Sequence, residues 1–193
     1  MRVTAIRNLK GGVGKSTTAI NLETLAEGDS YIVLGGHPAS GKTAFALRLL
    51  WRWAASEKVV FFSLETDSGA LYDRMISSIT GIPVRNIKRR ELNDRQQEQV
   101  AACLAKLAQR SFRLVSAVGA TAAQIQQAAI AEQADVVIID DAQFLCAHRS
   151  PYNQVIQMSM DLDTIAQNTG AIVVALTQIP RAPKNKDEEE RRL

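Results

Sequence analysis

The stretch Gly36-His37-Pro38-Ala39-Ser40-Gly41-Lys42-Thr43 satisfies G-x-x-x-x-G-K-[ST] in full, and it lies between an apolar run, Tyr31 to Gly35, and a segment of helical periodicity. This feature constrains the fold more than any other in the chain, because strand, glycine-bearing loop and helix must follow one another without a break. Glycines let the backbone curl so that successive N–H groups point the same way, and the helix that follows adds about half a positive charge at its N-terminus. The product is a cradle for phosphate. Lys42 is placed to reach the β and γ phosphates of a nucleoside triphosphate, and the Thr43 hydroxyl to ligate Mg²⁺. A plain glycine turn would need neither side chain. Gly36, His37, Pro38, Ala39, Ser40, Gly41, Lys42, Thr43 and Ala44 are therefore the candidate nucleotide-binding residues, with ATP and Mg²⁺ as the expected ligands.

The rest of the chain repeats the strand-then-helix rhythm. Strands are expected at Arg2 to Ile6, Tyr31 to Gly35, Val59 to Ser63, Phe112 to Ser116, Val136 to Asp140 and Ile172 to Leu176. Helices are expected near Lys15 to Ala26, Lys42 to Ala55, Ser68 to Thr80, Asp94 to Gln109, Ala122 to Glu132 and Tyr152 to Gln167. Such alternation predicts an α/β fold, a mainly parallel sheet sandwiched between helices. Asn93 and Thr121 have side chains suited to cap the helices that follow them, while Gly81-Ile82-Pro83 and Gly170 should end helices.

Two carboxylates and an amide complete a catalytic set. Val136-Val137-Ile138-Ile139-Asp140 has the Walker B form, four apolar residues of a buried strand delivering a carboxylate at its C-terminal end, where open α/β sheets bind ligands. Asp140 is expected to hold Mg²⁺ through water. Glu65 follows the strand Val59 to Ser63 in the same manner and is the candidate to orient or deprotonate an attacking water. Gln178 follows the strand Ile172 to Leu176 and is the candidate sensor of the γ-phosphate.

Composition excludes several other classes. Hydrophobic residues make up 46% and charged residues 22%, ordinary for a globular domain. No apolar run approaches the ~20 residues that cross a bilayer, and polar Asn8 and Lys10 stand where a signal peptide would need its apolar stretch, so a cytoplasmic location is expected. Cys103 and Cys146 are far apart and have no metal-spaced partners, which points to two buried thiols. The net charge of +3 is compatible with nucleic acid but too small to establish it.

From about Asp29 to Arg181 the chain resembles the C-terminal ATPase domain of DnaB-type replicative helicases, a RecA-like fold. The resemblance rests on Gly36 to Leu47, Phe61 to Glu65 with Leu71 to Arg74, Gly81-Ile82-Pro83 before Ile87, Val137 to Leu145 and Ala175 to Ile179, in the same order and spacing. It implies Lys42 and Thr43 as Walker A residues, Glu65 as catalytic carboxylate, Asp140 as Walker B, and Gln178 as the residue coupling the γ-phosphate to a DNA-facing loop. It also implies a ring hexamer on single-stranded DNA, with His148, Arg149, Arg181, Lys184 and Lys186 as candidate contacts. Asp141 departs from the family, which usually has tyrosine there. Arg191 and Arg192 do not match the family's arginine finger, and hydrolysis without such a finger, worth about 10³ to 10⁵ in rate, is expected to be slow.

Residues 1–26 carry a second pattern. Val3 to Ile6, Asn8, Lys10 to Thr18 and Asn21-Leu22 resemble the start of ParA-type partition ATPases, with Lys15 in the phosphate loop. A phosphate-loop strand is expected to lie beside its Walker B strand, and Asp140 alone ends a strand of the right form, so the Lys42 loop should take the centre of the sheet. Residues 1–28 then form an appended strand-helix unit, 29–181 the ATPase core, and 182–193 a charged, disordered tail. Two other readings remain open at this point: a ParA-type partition ATPase, and a truncated module that binds nucleotide without turnover.

Overall fold

The computed structural model describes residues 3–7, 31–146 and 151–179. In chain order its elements are β1 (Val3–Arg7), β2 (Tyr31–Gly36), α1 (Lys42–Trp53), β3 (Val59–Ser63), α2 (Ser68–Thr80), α3 (Val84–Arg89), α4 (Asp94–Leu107), β4 (Phe112–Ser116), α5 (Ala122–Ala131), β5 (Val136–Asp140), a 3₁₀ turn (Ala142–Cys146), α6 (Pro151–Thr169) and β6 (Ile172–Gln178). The expected helix at 15–26, the loop of Lys15 and the charged tail lie outside the described residues.

All six strands pair in parallel, in the order β1-β2-β6-β5-β3-β4. β3 and β5 are buried along their whole length, which is why their sequences, VVFFS and VVIID, read as continuous apolar runs instead of alternating ones. The pleat sends successive side chains to opposite faces. Val59, Phe61, Val136 and Ile138 pack on one side with Phe45, Leu49, Leu50 and Trp53 of α1, Leu71 and Met75 of α2, and Cys103 and Leu107 of α4. Val60, Phe62, Val137 and Ile139 pack on the other with Ile125 and Ala129 of α5 and Leu162, Ile165 and Ala166 of α6. Burying each of the larger side chains contributes about 1.5–3 kcal/mol, so the two layers clamp the sheet from both faces.

Local signals set the helix starts. Asn93 accepts from the Gln96 amide while the Gln96 side chain accepts from the Asn93 amide, and Thr121 and Gln124 make the same reciprocal pair. Gly81 and Gly170 end α2 and α6 as expected. Several helix ends differ: α1 stops at Trp53, α4 at Leu107 and α5 at Ala131, whereas α6 runs longer, from Pro151 to Thr169. β1 sits one residue later than expected. The turn at Gly81-Ile82-Pro83 ends one helix and starts the next, for Pro83 stands at the entry of α3, where its missing N–H has no intrahelical role.

Two expectations about the sheet are corrected. β6 lies between β2 and β5, so the phosphate-loop strand and the carboxylate strand are not neighbours. β2 is also not central; β6 and β5 are, and β2 stands second from one edge beside β1. The loop after β2 reaches Asp140 by crossing the C-terminal end of β6, a span of two strand spacings, about 10 Å. Strand β1, which leads toward the Lys15 loop, is separated from β5 by both β2 and β6.

Candidate functional site

The C-terminal ends of β2, β6, β5 and β3 and the start of α1 enclose a cleft of about 740 Å³. Pro38 to Ala44, Glu65, Asp140, Asp141 and Gln178 all line it. The loop, the carboxylate strand and the candidate glutamate and glutamine thus converge on one place.

Gly41 takes φ 88° at the N-cap of α1, in the left-handed region, and no side chain caps the helix there. The first-turn amides are left for an incoming group. Gly36 is required for a different reason: a Cβ on it would come within 2.7 Å of Ser40 Oγ and 3.1 Å of Lys42 Cγ. The side chain of Lys42 is folded over that bare backbone, with Nζ donating to the Gly36 carbonyl at 3.1 Å and the His37 carbonyl at 3.4 Å. Lys42 is only 8% exposed, yet its hydrogen bonds go to neutral carbonyls and not to a carboxylate. Ser40 Oγ is buried without a partner. A buried ammonium held by carbonyls alone, an orphaned hydroxyl and free helix amides suit a polyphosphate.

Thr43 Oγ1 donates to Asp140 Oδ2 at 2.7 Å. The pair brings a hydroxyl and a carboxylate oxygen together, a donor set for a hard divalent cation. Among the described residues no group of three His, Cys, Asp or Glu side chains is arranged to hold a metal ion. Burial pushes the Asp140 carboxyl above its ordinary range, and the Thr43 hydrogen bond and Lys42 charge pull against that. Glu65 is exposed in the cleft, on a loop pinned by Leu64 N–H donating to the Asp140 carbonyl at 2.7 Å and Thr66 N–H donating to Ser63 Oγ at 3.0 Å.

Gln178 closes β6 rather than following it, in register with Gly36. Because β6 lies between β2 and β5, Gln178 stands between the phosphate loop and Asp140. It donates to Asp141, which is 2% exposed and whose carboxyl is pushed up to about 6, first by burial and then by Asp140. Asp141 Oδ1 has no hydrogen-bond partner.

Sequence reasoning assigned no role to Arg74, Ser77, Ser78, Leu47 or Val84, which complete the lining of the cleft. Arg74, Ser77 and Ser78 recur at helical spacing on α2, and that polar stripe on an otherwise core-facing helix was the available signal. Arg74 is close enough to Asp140 to lower its proton affinity. Asp141, noted only as a departure from a family pattern, proves to be a partner of Gln178. Cys103 is buried and free, and burial raises its thiol. The side chain of Cys146 and the candidate DNA contacts His148, Arg149, Arg181, Lys184 and Lys186 lie outside the described residues. Among the described residues no helix is long and apolar enough to cross a membrane.

The parallel sheet with helices on both faces, and a phosphate loop facing a carboxylate strand, define a P-loop domain of the RecA-like fold. Two solved structures share the fold. One is an ATPase domain, with a TM-score of 0.71 at 20% identity over 89% of this chain and 73% of that one. The other is a DnaB-like replicative helicase described with its interactions with primase, with a TM-score of 0.71 at 24% identity over 78% of this chain and 40% of that one. The model of the DnaB-like helicase C terminal domain matches residues 14–192, and the chain belongs to that family. It is 26% identical over 188 residues to the replicative DNA helicase DnaB of Helicobacter pylori, covering 91% of this chain and 39% of the relative. It is 24% identical over 198 residues to the replicative DNA helicase DnaC of Bacillus subtilis, covering 95% and 44%. The chain thus spans about two fifths of the length of these relatives. The likeness of residues 1–26 to partition ATPases gains no support, since the family match takes in Lys15 itself and β1 joins the same parallel sheet.

Proposed function

We propose that the cleft at the Lys42 loop binds ATP with Mg²⁺ and hydrolyses it, as the motor domain of a DnaB-like replicative helicase acting in the cytoplasm on single-stranded DNA within a ring hexamer. Residues 29–181 form the ATPase core in this reading, with 1–28 appended and 182–193 as a tail. The observation that carries it is the Thr43 to Asp140 hydrogen bond at 2.7 Å, made across an intervening strand. A loop serving only as a turn has no reason to meet that carboxylate.

Lys42 and the first amides of α1 hold the phosphates, and Lys42 stabilises the charge that develops as the terminal phosphoryl leaves. Thr43 and Asp140 would hold the magnesium ion, which supplies neutralisation of phosphate charge when bound. Arg74 presents a second cation to the cleft. Glu65 orients a water for in-line attack and takes its proton; its exposure suits a group that must meet water. Gln178 senses the terminal phosphate from the end of β6.

Replacing Glu65 by Gln tests the assignment, because the amide keeps the shape and loses the base. Phosphate release from saturating ATP should slow about 100-fold or more while KM for ATP stays within about threefold. Unchanged release would remove Glu65 from the mechanism.

A further inference from the structure

His37 occupies the first variable position of the phosphate loop, yet it does not line the cleft. Its ring turns toward β6. Nδ1 lies 3.1 Å from the carbonyl oxygen of Ile179, the residue directly after Gln178. A carbonyl can only accept, so Nδ1 carries the proton and donates. A second bond runs back: Ile179 N–H donates to the Gly36 carbonyl at 3.0 Å. The side chain of Ile179 closes over the same place, for a Cβ added at Gly35 would lie 2.9 Å from Ile179 Cδ1. Both polar groups of one peptide residue are therefore tied to the loop, one through His37 and one through Gly36.

The same two loop residues hold Lys42. Its ammonium donates to the carbonyls of Gly36 and His37, so the Gly36 carbonyl is shared between Lys42 and the Ile179 amide. Phosphate offers the ammonium a full negative charge that a neutral carbonyl lacks, so an incoming phosphate draws Lys42 away from both. The Gly36 carbonyl is then left to the Ile179 amide alone, and the His37 carbonyl keeps only the Ser40 N–H at 3.1 Å.

We propose that His37 is a positioning residue that ties the phosphate loop to the end of β6, so that phosphate arriving at Lys42 is felt at Ile179 and hence beside Gln178. The proposal rests on the reading of Lys42 as the phosphate-binding lysine. It does not make His37 a phosphate ligand; its contribution is the donor at the δ position of the ring.

That location gives a specific test. An Asn side chain places an N–H donor where His has Nδ1, whereas Gln places one farther out, where His has Nε2. Backbone amide exchange at Ile179 is followed by NMR on the full chain as parent, H37A, H37N and H37Q, without nucleotide and at saturating ATP analogue. Without nucleotide, exchange at Ile179 should be about fivefold faster or more in H37A and H37Q, matching the loss of one modest hydrogen bond, and close to parent in H37N. Saturating analogue should slow exchange at Ile179 several-fold in parent and H37N, and by about half as much or less in H37A and H37Q, where only the Gly36 bond still links the loop to Ile179. An H37A chain that keeps the parent's exchange, or whose Ile179 responds to bound analogue as strongly as the parent's, overturns the role of His37 while leaving the ATP reading intact. A parent chain that binds no analogue sinks the ATP reading, and this inference with it.

Discussion

Asp141 offers the sharpest test of the electrostatics of the cleft. It is 2% exposed, it adjoins Asp140 in sequence, and one of its carboxyl oxygens lacks a partner. Burial and the Asp140 charge outweigh the help of Lys42, Gln178 and the Gln143 backbone, and the carboxyl is pushed from 3.8 up to about 6. The native state therefore binds a proton more tightly than the unfolded chain does. Its contribution to stability is most favourable below about pH 3.8 and is lost as pH rises through about 6. The full difference corresponds to about 3 kcal/mol at pH 7.5, about half of that at pH 5, and little at pH 4. Asn at this position removes the charge and keeps an acceptor for Gln178. Asp141→Asn should then raise the melting temperature at pH 7.5 by up to roughly 6–12 °C, taking about 2–4 °C per kcal/mol for a chain of this size. Thermal unfolding of parent and variant, followed by circular dichroism at pH 7.5, 5 and 4, reads the difference directly. A gap that fails to open at pH 7.5, or one that does not shrink as the pH falls, would refute the reasoning.

Two further outcomes follow from backbone geometry. Arg90 ends α3 at φ 58°, a left-handed conformation that a side chain adopts at a cost, so Arg90→Gly should stabilise the chain by about 0.5–1 kcal/mol in urea unfolding, and a loss of stability would contradict this. Gly36→Ala would force Ser40 and Lys42 aside, and an ATP titration should show affinity falling about 10- to 100-fold, the worth of one charge-assisted bond, with a parent-like affinity speaking against the cradle.

Much of this was readable because local chemistry and tertiary structure agree. The strands Val59–Ser63 and Val136–Asp140 are apolar throughout because both faces are covered, and the reciprocal caps at Asn93 and Thr121 fix helix starts without tertiary help. The convergence of Lys42, Thr43, Glu65, Asp140 and Gln178 was legible from motif order, since each lies at or just beyond the C-terminal end of a strand, and those ends face the same side of a parallel sheet. Strand order was not, because pairing is a long-range choice and nothing local to Ile172–Gln178 places it between the two motif strands. The helix Val84–Arg89 is too short to show a period. Arg74 and the partnership of Asp141 with Gln178 depend on which face of a helix or strand end turns into the cleft, and a motif reports spacing, not orientation.

The central claim is that, of two loops of phosphate-binding form, the one at Lys42 holds the nucleotide. Titrating a fluorescent ATP analogue with Mg²⁺ into the full chain and into Lys42→Ala and Lys15→Ala variants tests it most directly. Lys42→Ala should lose about 10- to 100-fold in affinity or more, and Lys15→Ala should stay within about threefold of the parent. Binding that survives in Lys42→Ala and disappears in Lys15→Ala would contradict the account.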